Sequence, residues 1–252
     1  MKTVFINCSP KKNFCASAYF LFLQRLFTGG EKVNEKLRTP ADHIRILEQL
    51  KGAQSAVFGL PLYVDGVPSH VLRFMEEMET FCRENGLKLN IYCVANNGFI
   101  EGKQNEPLMQ VFEHFCTRAG LVWGGGVGIG GGVMLNVTRI LFIVDVGLLA
   151  LNTLLSVANT GNFFPADAWL SFAENAALLL YFNLGVLFYL AGMGRAIRKG
   201  TVFGKKYTRI LIPSFIFILF ADIFFIIISV FEGGIFRGWL SKKEIDQKGA
   251  AS

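Results

Sequence analysis

The stretch Thr3-Val4-Phe5-Ile6-Asn7-Cys8-Ser9-Pro10-Lys11-Lys12-Asn13-Phe14-Cys15-Ala16-Ser17 decides how this chain is read. Thr3–Asn7 is a short apolar, β-branched run almost at the first residue, the mark of a strand buried on both faces of a parallel sheet. A polar loop, Cys8–Ala16, follows it. Ser17 is the predicted N-cap of a helix running through Tyr19–Phe27.

The same alternation continues outward. Lys32–Arg38 reads as a weak edge strand. Ala41–Lys51 has helical spacing, with Ile44, Leu47 and Leu50 on one stripe. Ser55–Leu60 is a strand, and Ser69–Asn85 is an amphipathic helix ending before Gly86, a good C′ residue. Leu87–Ala95 is a strand, Glu106–Ala119 a helix and Leu121–Val127 a strand. Strands alternating with helices predict an α/β fold built on an open parallel sheet. In such sheets ligands bind beyond the carboxyl ends of the strands. The loops there are Cys8–Ser17, Pro61–Pro68, Asn96–Gly102 and Gly128–Gly132, and all four are rich in polar, Gly or Pro residues.

The first loop is neither G-x-G-x-x-G nor a Walker A sequence, so both nucleotide fingerprints are missing. It does offer the hydroxyls of Ser9 and Ser17, the cations Lys11 and Lys12, and backbone N–H groups at a helix start, which are the parts of a monophosphate site. The second loop sets Leu62 and Tyr63 between Pro61 and Pro68. The third, Asn96-Asn97-Gly98-Phe99, supplies amides and a ring. The run Gly124–Gly132, with seven glycines around Val127 and Ile129, lets backbone approach a ligand or forms a hinge.

Composition divides the chain. Of 252 residues, 52% are hydrophobic and 17% charged, with 25 Phe, and the mean hydropathy is +0.42. That excludes disorder, a collagen-like chain and a disulfide scaffold. Residues 1–138 carry 14 Lys/Arg against 12 Asp/Glu, as an ordinary globular domain would, whereas residues 139–252 carry 11 against 7, clustered between apolar runs. The basic excess is thus a matter of membrane topology rather than of nucleic acid, and no nucleic-acid partner is expected. Cys8, Cys15, Cys82, Cys93 and Cys116 contain no C-x-x-C pair, and His43, His70 and His114 fall at no metal-ligand spacing. Reduced thiols, no metal site and surface or capping histidines are expected. No signal peptide is visible at the N-terminus, so the first domain is expected to be cytoplasmic.

Three runs read as transmembrane helices: Ile140–Ala158, Ala173–Met193 and Ile210–Phe231, each near the ~20 residues a bilayer core requires. The loop Asn159–Trp169 has no Lys or Arg and is expected outside. The loop Gly194–Arg209 holds six and is expected in the cytoplasm. The expected organisation is a soluble domain over 1–138, a three-helix membrane region over 139–232 and a basic tail over 233–252. Asp145, Asp222, Asn152 and Asn183 lie inside the spans. A proton or quinone path is one use for them, and hydrogen-bonded attachment between helices is the simpler one.

The motifs I-N-C-S-P-K-K-N-F-C-A-S, G-L-P-L-Y-V-D-G-V-P, A-N-N-G-F and G-I-G-G-G-V-M-L together resemble the flavodoxin-like NAD(P)H-dependent FMN reductase and quinone reductase group, over about residues 1–135. The resemblance implies FMN, with Ser9, Lys11, Cys15, Ala16 and Ser17 at its phosphate. Pro61, Leu62, Tyr63, Val64 and Asp65 would line one side of the isoalloxazine. Asn96, Asn97, Gly98 and Phe99 would meet its polar edge and other flank, with Gly130 and Gly131 nearby. In that group the last strand is followed by a helix that covers the sheet, and here Ile140–Ala158 follows instead. The resemblance also implies a homodimer and NAD(P)H as donor. The leading expectation is a multi-pass membrane oxidoreductase carrying electrons to a quinone or another acceptor. A flavodoxin-type carrier docked to a membrane complex is one alternative. A non-catalytic sensor or assembly domain is the other, suggested by Phe14 and Cys15 where small polar residues are usual.

Overall fold

The computed structural model describes residues 1–11 and 15–231. Lys12, Asn13 and Phe14 of the first loop, and residues 232–252 with the basic tail, lie outside the described residues. Two units are distinguished, Met1–Ile210 and the remainder from Leu211.

In the first unit the order is β1 (Lys2–Asn7), α1 (Ala16–Phe27), β2 (Glu31–Lys36), α2 (Pro40–Leu50), β3 (Ser55–Pro61), α3 (Ser69–Glu84), β4 (Asn90–Asn96), a 3-10 turn (Gly102–Asn105), α4 (Glu106–Ala119), β5 (Val122–Ile129), α5 (Gly132–Thr160), α6 (Ala166–Lys199) and β6 (Gly204–Tyr207). All six strands are parallel, in the order β2-β1-β3-β4-β5-β6. The first five follow the flavodoxin-like order, with its switch point between β1 and β3. β3 is central and buried at every position, which is why Ser55–Pro61 reads as an unbroken apolar run rather than an alternation.

Successive residues face opposite layers. Val4, Ile6, Phe58 and Leu60 join the core under α2, α3 and α4, where the Phe58 ring lies 6.4 Å from Phe74 and 5.1 Å from Phe112. The other face is covered by α1, which comes so close to β3 that a Cβ at Gly59 would meet Leu21 at 2.4 Å. On α2 the buried stripe is His43, Ile46, Leu47 and Leu50. The expected member Ile44 is 73% exposed, because the stripe turns toward α3 through His43 instead. Ser17 is not the N-cap of α1: the cap lies two residues earlier, at Cys15, and Ser17 is already inside the helix.

The glycine run is a second correction. Gly124, Gly125 and Gly126 lie inside β5, within the expected strand, and Gly128, expected in the loop, lies inside it as well. They are needed for close approach: a Cβ at Gly124 would meet the Tyr92 ring at 2.3 Å, and one at Gly128 the Gly102 carbonyl at 2.7 Å.

The chain beyond residue 138 returns to the sheet. α5 leaves the carboxyl end of β5, and α6 runs back to deliver β6 parallel to β5. The buried residues of α6 begin at Asn183 and continue as Val186, Leu190, Met193 and Ile197, one stripe at helical spacing. They pack with α1, where the Tyr19 hydroxyl donates to Asn183 Oδ1 at 3.1 Å. The expected span Ala173–Met193 is therefore divided. Its second half is the covering helix of the sheet, and its first half projects beyond the carboxyl edge alongside α5. Lys205 on β6 ties the added strand to α4 through Glu106 (2.9 Å) and Glu113 (2.8 Å).

Two helices, α5 and α6, are long and apolar enough to cross a membrane. At ~1.5 Å per residue, the 29 residues of α5 extend about 44 Å. Leu141 and Leu154 are among its exposed apolar side chains. Between the two helices Asn175 Nδ2 donates to Asp145 Oδ2 at 2.5 Å, so both Asp145 and Asn183 are engaged in helix attachment. The second unit holds α7 (Ser214–Phe231), an apolar helix that begins after Pro213, whose carbonyl accepts from Ile216 and Phe217. Its described length falls short of the other two, and Ile210, the first residue of the expected third span, instead donates its amide to the Ile100 carbonyl.

Candidate functional site

The site candidates cluster at the carboxyl edge of the sheet, and Asn96 organises them. At the end of β4 it is buried, and its Nδ2 donates to Ser17 Oγ (2.9 Å) and to the Leu60 carbonyl (2.8 Å). Its own carbonyl accepts from the Leu62 amide at 2.8 Å. The start of α1, the end of β3 and the end of β4 are joined through one side chain. Asn96 is thus a brace, and both of its amide hydrogens are committed to the protein.

Asn97 is similarly committed. Its Nδ2 donates to the Glu101 carbonyl at 3.1 Å, and its Oδ1 accepts from the Phe99 amide at 3.0 Å. Its carbonyl accepts from Gly132 at the start of α5, 2.7 Å away. Gly98 is left with Val133 Cγ2 as the nearest neighbour a Cβ would meet, at 3.8 Å, and Phe99 stands 57% exposed. A Cβ at Gly130 would meet the Ile100 carbonyl at 2.4 Å, and the Gly131 amide donates to the Phe99 carbonyl. These two glycines therefore face the third loop, not open space.

The first loop is held from below. Asn7 Oδ1 accepts from the Ser9 amide (3.1 Å), and its Nδ2 approaches Cys15 Sγ (3.7 Å). Ser9 is buried and Lys11 exposed, with the Lys11 amide donating to Ser9 Oγ. Arg38 reaches over from the β2–α2 connection and donates to the carbonyls of Ser9 (3.4 Å) and Lys11 (2.7 Å). On the opposite side His70 Nε2 lies 3.0 Å from the Cys8 carbonyl. Cys15 caps α1 with no side-chain bond to its first amides, Ala16 and Ser17 begin the helix, and the first turn holds no acidic residue. A helix start of this kind favours an anion. Burial pushes the Cys8 thiol far up, so it is packed as a protonated side chain rather than poised for redox chemistry.

In the second loop Pro61 closes β3 and Leu62 is half-buried. Tyr63 is 41% exposed and Val64 fully so. Val64 has φ 46° and Asp65 φ 55°, and the Gly66 amide donates to the Tyr63 carbonyl at 3.0 Å. This is a two-residue turn with both central residues left-handed, a geometry that favours Asn-Gly. A β-branched residue there is strained, and such strain concentrates at functional sites. Burial, and next Cys15, raises the Tyr63 phenol above its ordinary range, which places this loop beside the first.

Arg139, on α5, was not singled out by the sequence. Its guanidinium carbon lies 4.9 Å from the Tyr19 ring centroid, and Cys15 is within electrostatic reach. Its Nε and Nη2 are buried and have no hydrogen-bond partner. The available signal was an isolated cation between a glycine run and an apolar span.

Among the histidines, His43 is buried against Glu77 (2.9 Å) rather than on the surface. Among the described residues, no three His, Cys, Asp or Glu side chains come together as a metal site.

The sequence matches no protein-family model and no curated protein. Among solved structures the chain is similar to the Trp repressor binding protein from Bacillus subtilis, at 19% identity over 51% of this chain and 84% of that one, with a TM-score of 0.42. It is similar also to an azoreductase from Bacillus anthracis str. Sterne (12% identity, 79% and 99% covered, TM-score 0.45). A third is the NAD(P)H:quinone oxidoreductase from Methanothermobacter marburgensis (13%, 55% and 92%, 0.42). The fold assignment itself rests on this chain's own strand order.

Proposed function

We propose that this protein is a membrane-anchored, FMN-dependent oxidoreductase that takes electrons from NAD(P)H and delivers them to a quinone or another acceptor at the bilayer. The observation that carries the reading is one of position. The strand-end loops and the hairpin of α5 and α6 occupy the same edge of the sheet, so the loops face the side from which the apolar helices project.

The residues present fit FMN at its phosphate end. The α1 start has neither cap nor acid, Ser9 and Ser17 bring hydroxyls, and Arg139 brings buried donors that lack partners. Tyr63 and Phe99 are rings left exposed at the same edge, as flanks for a flat heterocycle would be. The fit is poorer for the polar rim expected of Asn96 and Asn97, whose side chains are bonded internally, so backbone groups of the third loop would serve there. When bound, FMN supplies the hydride and electron chemistry. The chain's own residues hold the phosphate, flank the ring and keep the site against the membrane.

Membrane attachment gives a lipid-soluble acceptor a short path. The exposed leucines of α5 require an apolar surrounding, and Arg195, Arg198 and Lys199 at the end of α6 agree with a cytoplasmic domain. The test is a visible spectrum of the detergent-purified protein with FMN, before and after anaerobic NADH or NADPH. Prompt bleaching is the expected result. A flavin that binds but stays oxidised makes the protein a carrier, and no flavin bound to a folded sample overturns the reading.

A further inference from the structure

We propose that Arg139, contributed by the first membrane helix, is a ligand of the phosphoryl group at the α1 N-terminus, so that the membrane hairpin supplies part of the cofactor site. The inference rests on the FMN reading above and adds to it a residue from outside the strand-end loops.

What the Arg139 guanidinium lacks is an acceptor. Nε and Nη2 are both shielded from solvent and unpartnered, and among the described residues no carboxylate pairs with Arg139. Buried donors without acceptors are rare because they forfeit hydration for nothing in return. The position is not an accident of a loose side chain. α5 is anchored at its start by the Gly132 amide on the Asn97 carbonyl (2.7 Å), and the guanidinium rests on the Tyr19 ring. Tyr19 in turn is held by Asn183 of α6, and its amide donates to the Cys15 carbonyl at 3.2 Å. Arg139 is thereby held over the ring of Tyr19, the fourth residue of α1.

The chemistry missing there is that of a compact anion with several acceptors. A guanidinium fork matches phosphate oxygens, and the first turn of α1 offers N–H groups and a positive dipole end to the same group. A phosphoryl group has two sources at this place, FMN and a phospholipid headgroup. The burial of both nitrogens, and their position beside Cys15 rather than among the lipid-facing side chains of α5, favour FMN.

The experiment measures the affinity of the full chain for FMN and for riboflavin, which lacks the phosphate, by quenching of flavin fluorescence in a sugar-headgroup detergent. Wild type is expected to prefer FMN. Arg139→Gln should lower FMN affinity by roughly 10- to 100-fold with riboflavin unchanged, since a charge-assisted pair of bonds is removed, and Arg139→Lys should lie between. Inorganic phosphate should displace FMN, but not riboflavin, from the wild type, a check that needs no variant. An unchanged FMN-to-riboflavin ratio in Arg139→Gln overturns the inference while leaving FMN binding intact, and so does an equal loss for both flavins. If FMN affinity of the wild type falls when phosphatidylglycerol vesicles replace the detergent, and Arg139→Gln binds FMN normally in detergent, the headgroup is the ligand and the inference is overturned. If the folded wild type binds neither flavin, the FMN reading itself fails.

Discussion

Asn96 Nδ2 donates to Ser17 Oγ across 2.9 Å, joining residues on β4 and α1 that bracket the sheet's switch point. The same nitrogen donates to the Leu60 carbonyl, so a single amide sets the spacing of three strand-end loops. Asn96→Ala leaves buried partners unsatisfied and should destabilise the unit Met1–Ile210 by about 1–3 kcal/mol. Thermal unfolding followed by circular dichroism measures this. An unchanged midpoint would show that the bracing is supplied elsewhere.

The Val64–Asp65 turn is built against the preference of its residues. Substituting Val64→Asn with Asp65→Gly suits both left-handed positions and should stabilise the fold by about 1 kcal/mol. Cofactor turnover by that variant should fall if the exposed Val64 and the turn's shape matter to ligand contact. Unfolding midpoint and NADH oxidation, measured on the same preparation, separate the two effects.

Gly59→Ala tests how α1 packs on the sheet. Its Cβ would fall 2.4 Å from Leu21, so helix or strand must shift, at a cost of about 1–3 kcal/mol. Gly52→Ala makes a useful contrast. There the added methyl meets nothing within 4 Å, and φ is +74°, so any loss arises from backbone strain alone.

Asp42 carries an acid-side prediction. Burial works to raise its pKa, but hydrogen bonds from the Thr39 amide and hydroxyl, the Arg38 amide and Arg45 outweigh it and hold the carboxyl at about 2. A folded pKa below the unfolded value contributes stability that is present above about pH 4 and is lost as pH falls toward 2. Asp42→Asn should therefore narrow the stability difference between pH 5 and pH 2, read as unfolding midpoints at the two pH values.

In the hairpin, Asn175→Ala removes the bond to Asp145. On the proposed membrane reading, hydrogen bonds between spanning helices are small, so about 1 kcal/mol of helix attachment is at stake. Flavin binding should be unchanged, while hydrogen exchange near Asp145 should quicken.

Much of the sheet and its covering helices was legible in local pattern. Glu106–Ala119 is read with its observed bounds, and β1, β3 and α3 are read to within a residue at each end, because burial on both faces writes an apolar run and burial on one face writes a helical stripe. The glycine run misled for a physical reason. Glycine signals that something approaches the backbone closely, but not what approaches: at Gly124 it is the Tyr92 ring, and at Gly128 the Gly102 carbonyl, not a ligand. Asn96 and Asn97 misled likewise, since an amide at a strand end reads the same whether it faces a cofactor or a neighbouring loop.

The sequence by itself determined the alternation of strands and helices, the carboxyl-edge loops as the place to look, and the apolar length of the runs after residue 138. These depend on residues near one another in the chain. Only the tertiary structure decided that α6 is half a projecting helix and half a sheet cover, that β6 completes the sheet, and that Arg139 lies over Tyr19. Each of those is a contact between segments far apart in sequence, set by which surfaces fit together, and no local periodicity records it.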